Sequence, residues 1–304
     1  MVCGALLIDK PSGCSSHDVV RRIRRALNLK RVGHAGTLDP LATGLLVVLL
    51  GKATQFQPVF LEQRKRYEGI IRLGLSTDTD DISGRVLAED RHFRYAEGGS
   101  LPAIAARLAQ RFSGPQLQLP PRYSAIHVAG RRAYELARKG EEFDMKARPV
   151  EITVEEFRFL DRERLAYRVH VSSGTYIRSL AHDIGVELAT GACIETIRRT
   201  SSGEFLLVHA VPLEEFETAV DKSRFILSPE QLVRGLAHID FDAAESARLR
   251  CGVQTPLHRL SAGDVDSGFL AIFDENECFL ALAKKVSQTP PWKLCFVMER
   301  GPSY

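Results

Sequence analysis

The sequence has few of the features that mark metal centres, secreted proteins and membrane proteins. Its six cysteines are scattered and none are spaced as CxxC, which argues against a zinc site and, in a reducing compartment, against structural disulfides. The longest purely aliphatic run, Leu45 to Leu50, is far shorter than the roughly 18 apolar residues of a membrane-spanning helix. The N-terminus, MVCGALLIDK, has no basic leader and no cleavage pattern. We therefore expect a cytoplasmic protein with no metal and no membrane contact.

The chain has the size and composition of an ordinary globular protein. It has 304 residues, of which 44% are hydrophobic and 26% charged, with no internal repeat and no low-complexity tract. This length accommodates a catalytic domain with a sizeable core and a small additional domain.

Positive charge is concentrated in two segments, although the net charge is only +3. Residues 1–34 carry seven Lys/Arg against two acids, and residues 122–148 carry seven against four. Such clusters fit either a solvated surface or a polyanionic partner, because each neutralised phosphate releases counterions. The pattern does not decide between them.

The spacing of apolar residues predicts a mixture of helices and strands. VCGALLIDKPSG predicts a strand ending in a turn, and SSHDVVRRIRRALN predicts a helix capped by Ser15 or Ser16 with Asp18 in its first turn. RYEGIIRLGL alternates as a half-buried strand does, and a further helix is expected from about Leu101 to Arg111.

One segment changes period in its middle, which is typical of a site held where a strand meets a helix. RLAYRVHVSSGTYIRSLAHDIGVEL predicts a strand, a Ser-Ser-Gly turn and a helix capped at Thr175. Past about Ser228 the pattern predicts a small β-rich domain, with a hairpin turning at Asp274 to Glu277 and a last strand, WKLCFVM.

A single carboxylate stands in the stretch GHAGTLDPLATGLLVVLLGKATQ. Between Ala35 and Gly51 the only ionisable side chain is Asp39, in a run that is otherwise apolar and rich in glycine. Since Pro40 favours an extended residue before it and is common at a first helical position, Asp39 could cap a short helix, PLATGLL. An ionised carboxylate in an apolar cleft is also a candidate nucleophile or general base.

Five separated blocks, from about Leu6 to Ser202, resemble the TruB family of bacterial tRNA pseudouridine synthases. In chain order they are IDKPSGCSSHDVV, KRVGHAGTLDPLATGLLVVLLGKAT, KRYEGIIRLGLSTDTDDISG, PPRYSAIHVAGRRAYELARKG and SGTYIRSLAHDIG. The resemblance implies an α+β fold with a mixed, mainly antiparallel central sheet flanked by helices. It also implies isomerisation of the T-loop uridine at position 55 of tRNA, an intramolecular transfer that needs neither cofactor nor metal.

The resemblance also implies roles for particular residues. Asp39 matches the catalytic aspartate, Arg178 the arginine that pairs with it, and Tyr67 the tyrosine that stacks on the target base. The residues implied in substrate binding are His34, which would help to hold the T loop open, Ile197, which would line the pocket, and Lys10, Arg131, Arg132 and Arg148.

The family contains both stand-alone and guide-dependent enzymes. The block from about Pro120 to Pro149 resembles the insertion that stand-alone bacterial enzymes close over the T arm, so we expect tRNA as partner, no guide RNA, and a monomer. Two positions depart from the family pattern: His127 stands where lysine is common, and Ser15 where threonine is usual.

The resemblance divides the chain into residues 1–227, a catalytic domain with the insertion at about 120–149, and residues 228–304, a PUA-like domain. Residues 228–304 hold eight Lys/Arg against ten Asp/Glu, so this domain lacks a basic field for RNA.

Two other motifs are weak. DTDDISG has the alternating acids of a calcium loop, but Ile82 stands at the fifth ligand position and Gly84 comes one residue late, so a turn is expected. His182 and Asp183 form an isolated pair within a helix.

Two rival functions remain. An RNA-binding protein or tRNA-folding chaperone could keep this scaffold without turnover, although it would not need Asp39. A synthase acting on another RNA is disfavoured only by the insertion block.

Overall fold

The computed structural model describes residues 2–95, 99–124, 126–128, 130–261, 268–287 and 291–298, with only the backbone described at His127, Arg132 and Arg259. Its helices are α1 (Ser16–Ala26), α2 (Gln57–Glu62), α3 (Leu101–Phe112), α4 (Ala133–Arg138), α5 (Ile177–Glu187), α6 (Leu213–Thr218), α7 (Pro229–Leu232) and α8 (Ala243–Arg250). The first strands are β1 (Gly4–Lys10), β2 (Val32–His34), β3 (Thr43–Leu50), β4 (Lys65–Leu73), β5 (Leu75–Thr77), β6 (Val86–Glu89), β7 (Gly114–Gln118), β8 (His127–Val128) and β9 (Arg131–Arg132). The remaining strands are β10 (Arg148–Phe159), β11 (Arg164–Val171), β12 (Ala192–Ser202), β13 (Phe205–Leu206), β14 (Val211–Pro212), β15 (His238–Phe241), β16 (Phe269–Asp274), β17 (Phe279–Lys285) and β18 (Trp292–Val297).

A ten-stranded sheet organises the first two thirds of the chain. Its order is β14-β1-β3-β12-β4-β11-β10-β7, with β2 added to β3 and β13 to β12. Only β1 with β14 and β3 with β12 pair in parallel among these described strands. The predicted α+β fold with a mixed, mainly antiparallel sheet is therefore confirmed.

The two halves of this sheet are joined through a short contact. β3 and β12 share two register pairs, Thr43 with Arg198 and Gly44 with Arg199. Gly44 has φ +97°, and a Cβ there would lie 2.3 Å from the carbonyl oxygen of Arg199. Glycine is required at this position because the two backbones approach so closely.

Strand β3 explains the long apolar run in the sequence. The side chains on one face of β3 pack in the core shared with the C-terminal sheet, and they are Leu45, Val47 and Leu49. The alternate set, Leu46, Val48 and Leu50, packs against α1 and α6. A strand covered on both faces is apolar at successive positions rather than alternate ones.

The helix that PLATGLL could form is absent, so the prediction that Asp39 caps a helix is wrong. The Ala42 amide closes a turn by donating to the Asp39 carbonyl at 3.0 Å, and β3 begins at Thr43. The residues after Asp39 enter the sheet because β1 and β12 pair with them on either side.

Helix α1 begins as its sequence predicts. Ser15 is the N-cap and forms a capping box with Asp18, and Val19, Val20 and Ile23 are buried. Some of its arginines pair within the protein, since Arg22 Nε donates to Glu217 at 2.7 Å and Arg21 pairs with Asp18.

Helix α5 begins one residue later than predicted. Its N-cap is Tyr176, with no side-chain cap, instead of Thr175. One face of the helix is buried, and its residues are Ile177, Leu180, Ala181, Ile184 and Leu188.

The C-terminal region forms the predicted small β-rich unit, a sheet of order β15-β16-β17-β18. The predicted hairpin turn is confirmed between β16 and β17, with Glu277 at φ +59°. Leu232, Phe269 and Phe296 share a core with Phe56 and Leu45, so this unit packs on the face of β1 and β3 opposite α1.

Candidate active site

Asp39 lies in the loop between β2 and β3, where α1 fixes the preceding residue. The Leu38 amide donates to Ser16 Oγ at 2.8 Å, and Ser16 Oγ donates to the Leu38 carbonyl at 3.0 Å. The loop passes through Gly36 at φ +101°. The Asp39 side chain is 40% exposed, so its carboxylate reaches solvent from an anchored loop.

Arg178, in the first turn of α5, contacts Asp39 directly. Its Nε lies 2.8 Å from Asp39 Oδ2, and its side chain is only 6% exposed. Nη1 donates to the Thr79 carbonyl at 2.9 Å and Nη2 to the Tyr123 carbonyl at 3.0 Å. The planar guanidinium thereby joins three segments, and its orientation toward the carboxylate is fixed.

The N-terminus of α5 is held by the end of β7 and the residue that follows. The Gln118 side-chain amide donates to the Tyr176 carbonyl at 3.0 Å and accepts from the Tyr176 amide at 2.8 Å. Ser179 Oγ donates to the Leu119 carbonyl at 2.7 Å. These bonds set the position from which Arg178 extends.

Tyr67 and Ile197 lie on the neighbouring strands β4 and β12. Tyr67 is in register with Arg199, and Ile197 with Gly69. Both side chains are partly buried and contact the cores of both sheet halves. The structure therefore places both where the two halves meet, which is also where the Asp39 loop enters β3.

Sequence reasoning missed Arg199, which is buried next to Tyr67 with 1% of its surface exposed. Its Nε donates to the Leu45 carbonyl at 2.7 Å, Nη2 to the Gly36 carbonyl at 3.1 Å, and Nη1 to Tyr67 Oη at 3.4 Å. A signal was present in IETIRRT. Because side chains alternate along a strand, an arginine two residues after Ile197 shares its inward face.

Tyr176 was also missed. Burial raises the pKa of its phenol, and Arg178, Arg148 and Asp39 all lie within electrostatic reach. Its position at the N-cap of α5 is set by tertiary contacts that the local sequence does not encode.

Lys10 is fully buried, and its ammonium group contacts backbone carbonyls. Nζ donates to Cys14 at 2.6 Å, Pro11 at 2.9 Å and Pro40 at 3.4 Å. Burial lowers the pKa of Lys10, with Cys14 and Asp39 opposing that shift. Because these three bonds can use all three ammonium protons, Lys10 stabilises the turn after β1 and the residue next to Asp39.

His34, on β2, has an unsatisfied ring nitrogen. Within the described part of the chain, its buried Nδ1 has no hydrogen-bond partner. Burial lowers the pKa of His34, as do the positive charge of Arg199 and the neighbouring His17. Burial and the adjacent arginine charge therefore favour the neutral form of this imidazole.

In the part of the insertion whose side chains the structure describes, Arg131 and Arg148 form no ion pair or hydrogen bond with Asp39 or Arg178. Arg131 is exposed and forms a bidentate pair with Glu141, with both distances 2.9 Å. Arg148 is exposed at the start of β10. The side chains of Arg132 and His127 lie outside the described structure.

The acidic motif DTDDISG forms a turn, as predicted. Asp81 Oδ1 accepts from the Ser83 amide at 3.0 Å, and Asp78 Oδ1 from the Arg85 amide at 2.8 Å. His182 Nδ1 lies 3.1 Å from Asp80 Oδ1, and this hydrogen bond raises the pKa of His182. The described residues include no group of three or more His, Cys, Asp or Glu able to hold a metal ion.

Within the described residues, none of the helices combines the length and apolar character needed to cross a membrane.

Comparison with known proteins gives a consistent picture. Residues 24–177 match the model of the TruB family pseudouridylate synthase N-terminal domain, and residues 178–236 match the tRNA pseudouridylate synthase B C-terminal domain. A tRNA pseudouridine synthase B of Gloeobacter violaceus is 39% identical, covering 92% of this chain and 94% of its own length. The protein of that name from Thermobifida fusca is 40% identical, covering 94% and 96%.

Among solved structures, the fold resembles that of an archaeal box H/ACA sRNP Nop10-Cbf5 complex. The TM-score is 0.67 at 25% identity, over 94% of this chain and 80% of that one. The Cbf5-Nop10-Gar1 complex gives the same TM-score and identity, over 94% and 79%.

Proposed function

Because the chain belongs to the TruB family of pseudouridylate synthases, we propose that it isomerises the T-loop uridine at position 55 of tRNA to pseudouridine. The relatives at 39–40% identity are named tRNA pseudouridine synthase B, which supports tRNA as the substrate. The one observation that carries the proposal is the contact of Asp39 with Arg178 at the junction of the two sheet halves.

The reaction breaks the glycosidic bond to nitrogen 1, turns the uracil, and joins the sugar to carbon 5 with release of the carbon 5 proton. It needs an ionised carboxylate, a largely dry pocket and a means of holding a detached base. Asp39 Oδ2 lies 2.8 Å from Arg178 Nε, and the Asp39 side chain is 40% exposed. The carboxylate is thus positioned by an arginine and still accessible to a substrate, as expected for a positioned nucleophile or base.

Tyr67 and Ile197 are proposed to hold the base. Stacking of a base on an aromatic ring is worth about 1–3 kcal/mol, and Tyr67 lies partly buried where the Asp39 loop enters the sheet. His34 is proposed to contact the T loop once the uridine has left its stack. Lys10 is proposed to position the Asp39 loop instead of binding RNA directly.

The proposed enzyme works alone, as a cytoplasmic monomer with neither a guide RNA nor a cofactor. Its identity of 39–40% to proteins named tRNA pseudouridine synthase B exceeds the 25% to the Nop10-Cbf5 complex of the archaeal box H/ACA sRNP. Arg131, Arg132 and Arg148 are proposed to contact phosphates of the T arm from the insertion. The pair with Glu141 must open before Arg131 can do so.

The proposed domain division is residues 1–227, catalytic, and 228–304, PUA-like. A boundary after residue 227 is supported by the contacts of Leu227 with the catalytic domain. Leu227 pairs with Ala5 of β1 through two backbone hydrogen bonds of 2.9 and 2.8 Å. The C-terminal unit carries more acids than bases, so any contact with tRNA would use a few residues.

The experiment that tests the proposed site uses tRNA transcripts incubated with the protein alone. Pseudouridine is mapped by carbodiimide labelling and reverse transcription on a normal transcript and on one with cytidine at position 55. We expect one modified position in the first transcript and none in the second. Modification elsewhere at an undiminished rate would show that the enzyme acts on another site. Binding without modification would support an RNA chaperone.

A further inference from the structure

We propose that Arg199 is a positioning residue that fixes the hydroxyl of Tyr67 relative to the loop carrying Asp39. This inference rests on the proposed function and extends it to a residue that does not contact substrate. Arg199 lies on β12, donates to a carbonyl on either side of Asp39, Gly36 and Leu45, and donates to Tyr67 on β4. It is the side chain that joins these three parts of the site.

Arg199 has unusual electrostatics for a buried residue. With 1% of its surface exposed, its guanidinium has no carboxylate within ion-pair distance among the described residues, and its three bonds go to two carbonyls and one phenol. A buried charge that lacks an opposite charge is costly, and here only neutral acceptors compensate it. Such an arrangement is poorly explained as a means of stabilising the fold, since an apolar side chain would fill the space at lower cost.

The packing around Arg199 is built for it. A Cβ on Gly36 would lie 3.3 Å from Arg199 Nη1, and a Cβ on Gly44 would lie 2.3 Å from the Arg199 carbonyl oxygen. These glycines stand on either side of Asp39, and both have positive φ. The backbone on both sides of Asp39 therefore lies so close to Arg199 that there is little room for a side chain at these two positions.

The direction of the hydrogen bond to Tyr67 follows from the chemistry of arginine. A guanidinium can only donate, so the Tyr67 oxygen accepts from Nη1 at 3.4 Å. The phenol proton must then point elsewhere. Arg199 thus fixes both the position of the ring edge and the orientation of its hydroxyl, which a lysine with a single point of charge would not do.

The neighbouring arginine provides a matched control. Arg198 precedes Arg199 on the same strand and points to the other face, where its Nη2 lies 2.6 Å from Asp9 Oδ2. Its side chain is 38% exposed, and it contacts neither Tyr67 nor Gly36. A lysine substitution at each position compares the same chemical change on the two faces.

The test is a double-mutant cycle measured by single-turnover tritium release from tRNA labelled at carbon 5 of uridine, with enzyme in excess so that slow variants remain measurable. We expect Arg199→Lys to lower the rate roughly 10- to 100-fold with tRNA affinity nearly unchanged, since small misplacements at a reacting centre have such effects. Arg198→Lys should stay within about twofold of wild type. In a Tyr67→Phe background, Arg199→Lys should cost much less, because the hydroxyl through which it acts is absent.

Equal losses from Arg199→Lys with and without the Tyr67 hydroxyl, in proteins with normal thermal unfolding, would overturn the proposal and leave Arg199 as a structural residue. An undiminished rate would also overturn it. If Arg199→Lys does not unfold cooperatively, Arg199→Gln replaces it in the same cycle, because glutamine keeps a hydrogen-bond donor on the strand and removes the buried charge. Absence of tritium release from wild type would refute the proposed function itself, and so the two failures are distinguishable.

Discussion

The two faces of the large sheet use arginine in opposite ways. On the helix-covered face, Arg178 is 6% exposed at its side chain and Arg199 is 1% exposed, and each is held by backbone carbonyls. On the other face, Arg66 and Arg168 are 46% and 51% exposed and pair with glutamates. The two sets of side chains alternate along β4. Tyr67 points to the helix-covered face, whereas its neighbours Arg66 and Glu68 point to the other face, which we call the open face.

The difference in burial distinguishes arginines that position groups of the site from arginines that form ion pairs at the surface. Exposed pairs are typically worth about 0–1 kcal/mol, because water screens them and two flexible side chains must be ordered. A buried guanidinium bonded to several segments fixes geometry, since it cannot move without breaking bonds that water does not replace. We therefore expect arginine substitutions to affect catalysis on one face only.

Among the substitutions that compare the two faces, the largest effect is expected from Arg178→Lys. Lysine cannot hold Asp39 and the carbonyls of Thr79 and Tyr123 at once, so we expect kcat to fall by about 10²- to 10³-fold. Arg168→Lys is the matched change on the open face and should leave kcat unchanged. Steady-state kinetics on a tRNA transcript measures both. Similar losses in the two variants would break the distinction between the faces.

A smaller effect is expected from Gln118→Leu. The substitution leaves the Tyr176 amide and carbonyl without their partner, which costs about 1–3 kcal/mol of unfolding free energy, and kcat should fall roughly tenfold as α5 shifts. Gln116→Leu is the control, because Gln116 Nε2 donates to the Phe112 carbonyl at 2.8 Å and forms no bond to α5 among the described residues. Chemical denaturation and kcat are measured together. Loss of stability with full kcat would show that the anchoring of α5 does not set Arg178.

His34 should give a pH-dependent effect on stability. Its pKa is lowered in the folded state by burial and Arg199, so the unfolded state takes up the proton first as the pH falls below about 6.5. This contribution to stability is complete above that pH and is lost as the pH falls through the folded pKa. His34→Gln should therefore lose less stability than wild type between pH 7.5 and pH 5, as measured by urea denaturation. Parallel pH profiles would contradict the burial of a neutral imidazole.

The smallest effect is expected from Arg66→Gln on the open face. Arg66 Nε lies 2.9 Å from Glu155 Oε1, and both side chains reach solvent. We expect a change in unfolding free energy below about 1 kcal/mol and activity within about twofold of wild type. A loss of activity with unchanged stability would indicate that RNA also contacts this face.

Local signals in the sequence predicted the elements that depend on local chemistry. The capping box at Ser15 and Asp18, the alternation of β4 and the turn before β17 all appear where expected. Each is determined by residues within a few positions of one another, so tertiary structure did not override them.

The errors and omissions concern features that only tertiary contacts determine. PLATGLL has a local preference for a helix start, but its first three residues form a turn and β1 and β12 pair with the rest, which is strand from Thr43. The start of α5 depends on Gln118, which is 58 residues away from Tyr176. The bonds of Arg199 to Gly36 and Leu45 span more than 150 residues, although its inward phase with Ile197 could be read from the strand.

The central claim is tested most directly by tritium release from tRNA labelled at carbon 5 of uridine, with metal chelator present and no other RNA, comparing wild type with Asp39→Asn. The account predicts release by wild type and a rate at least about 10³-fold lower for the variant, with tRNA binding retained in both. Release by Asp39→Asn at the wild-type rate would contradict the assignment of Asp39. Binding by both proteins without release by either would mean that the protein binds tRNA and does not modify it.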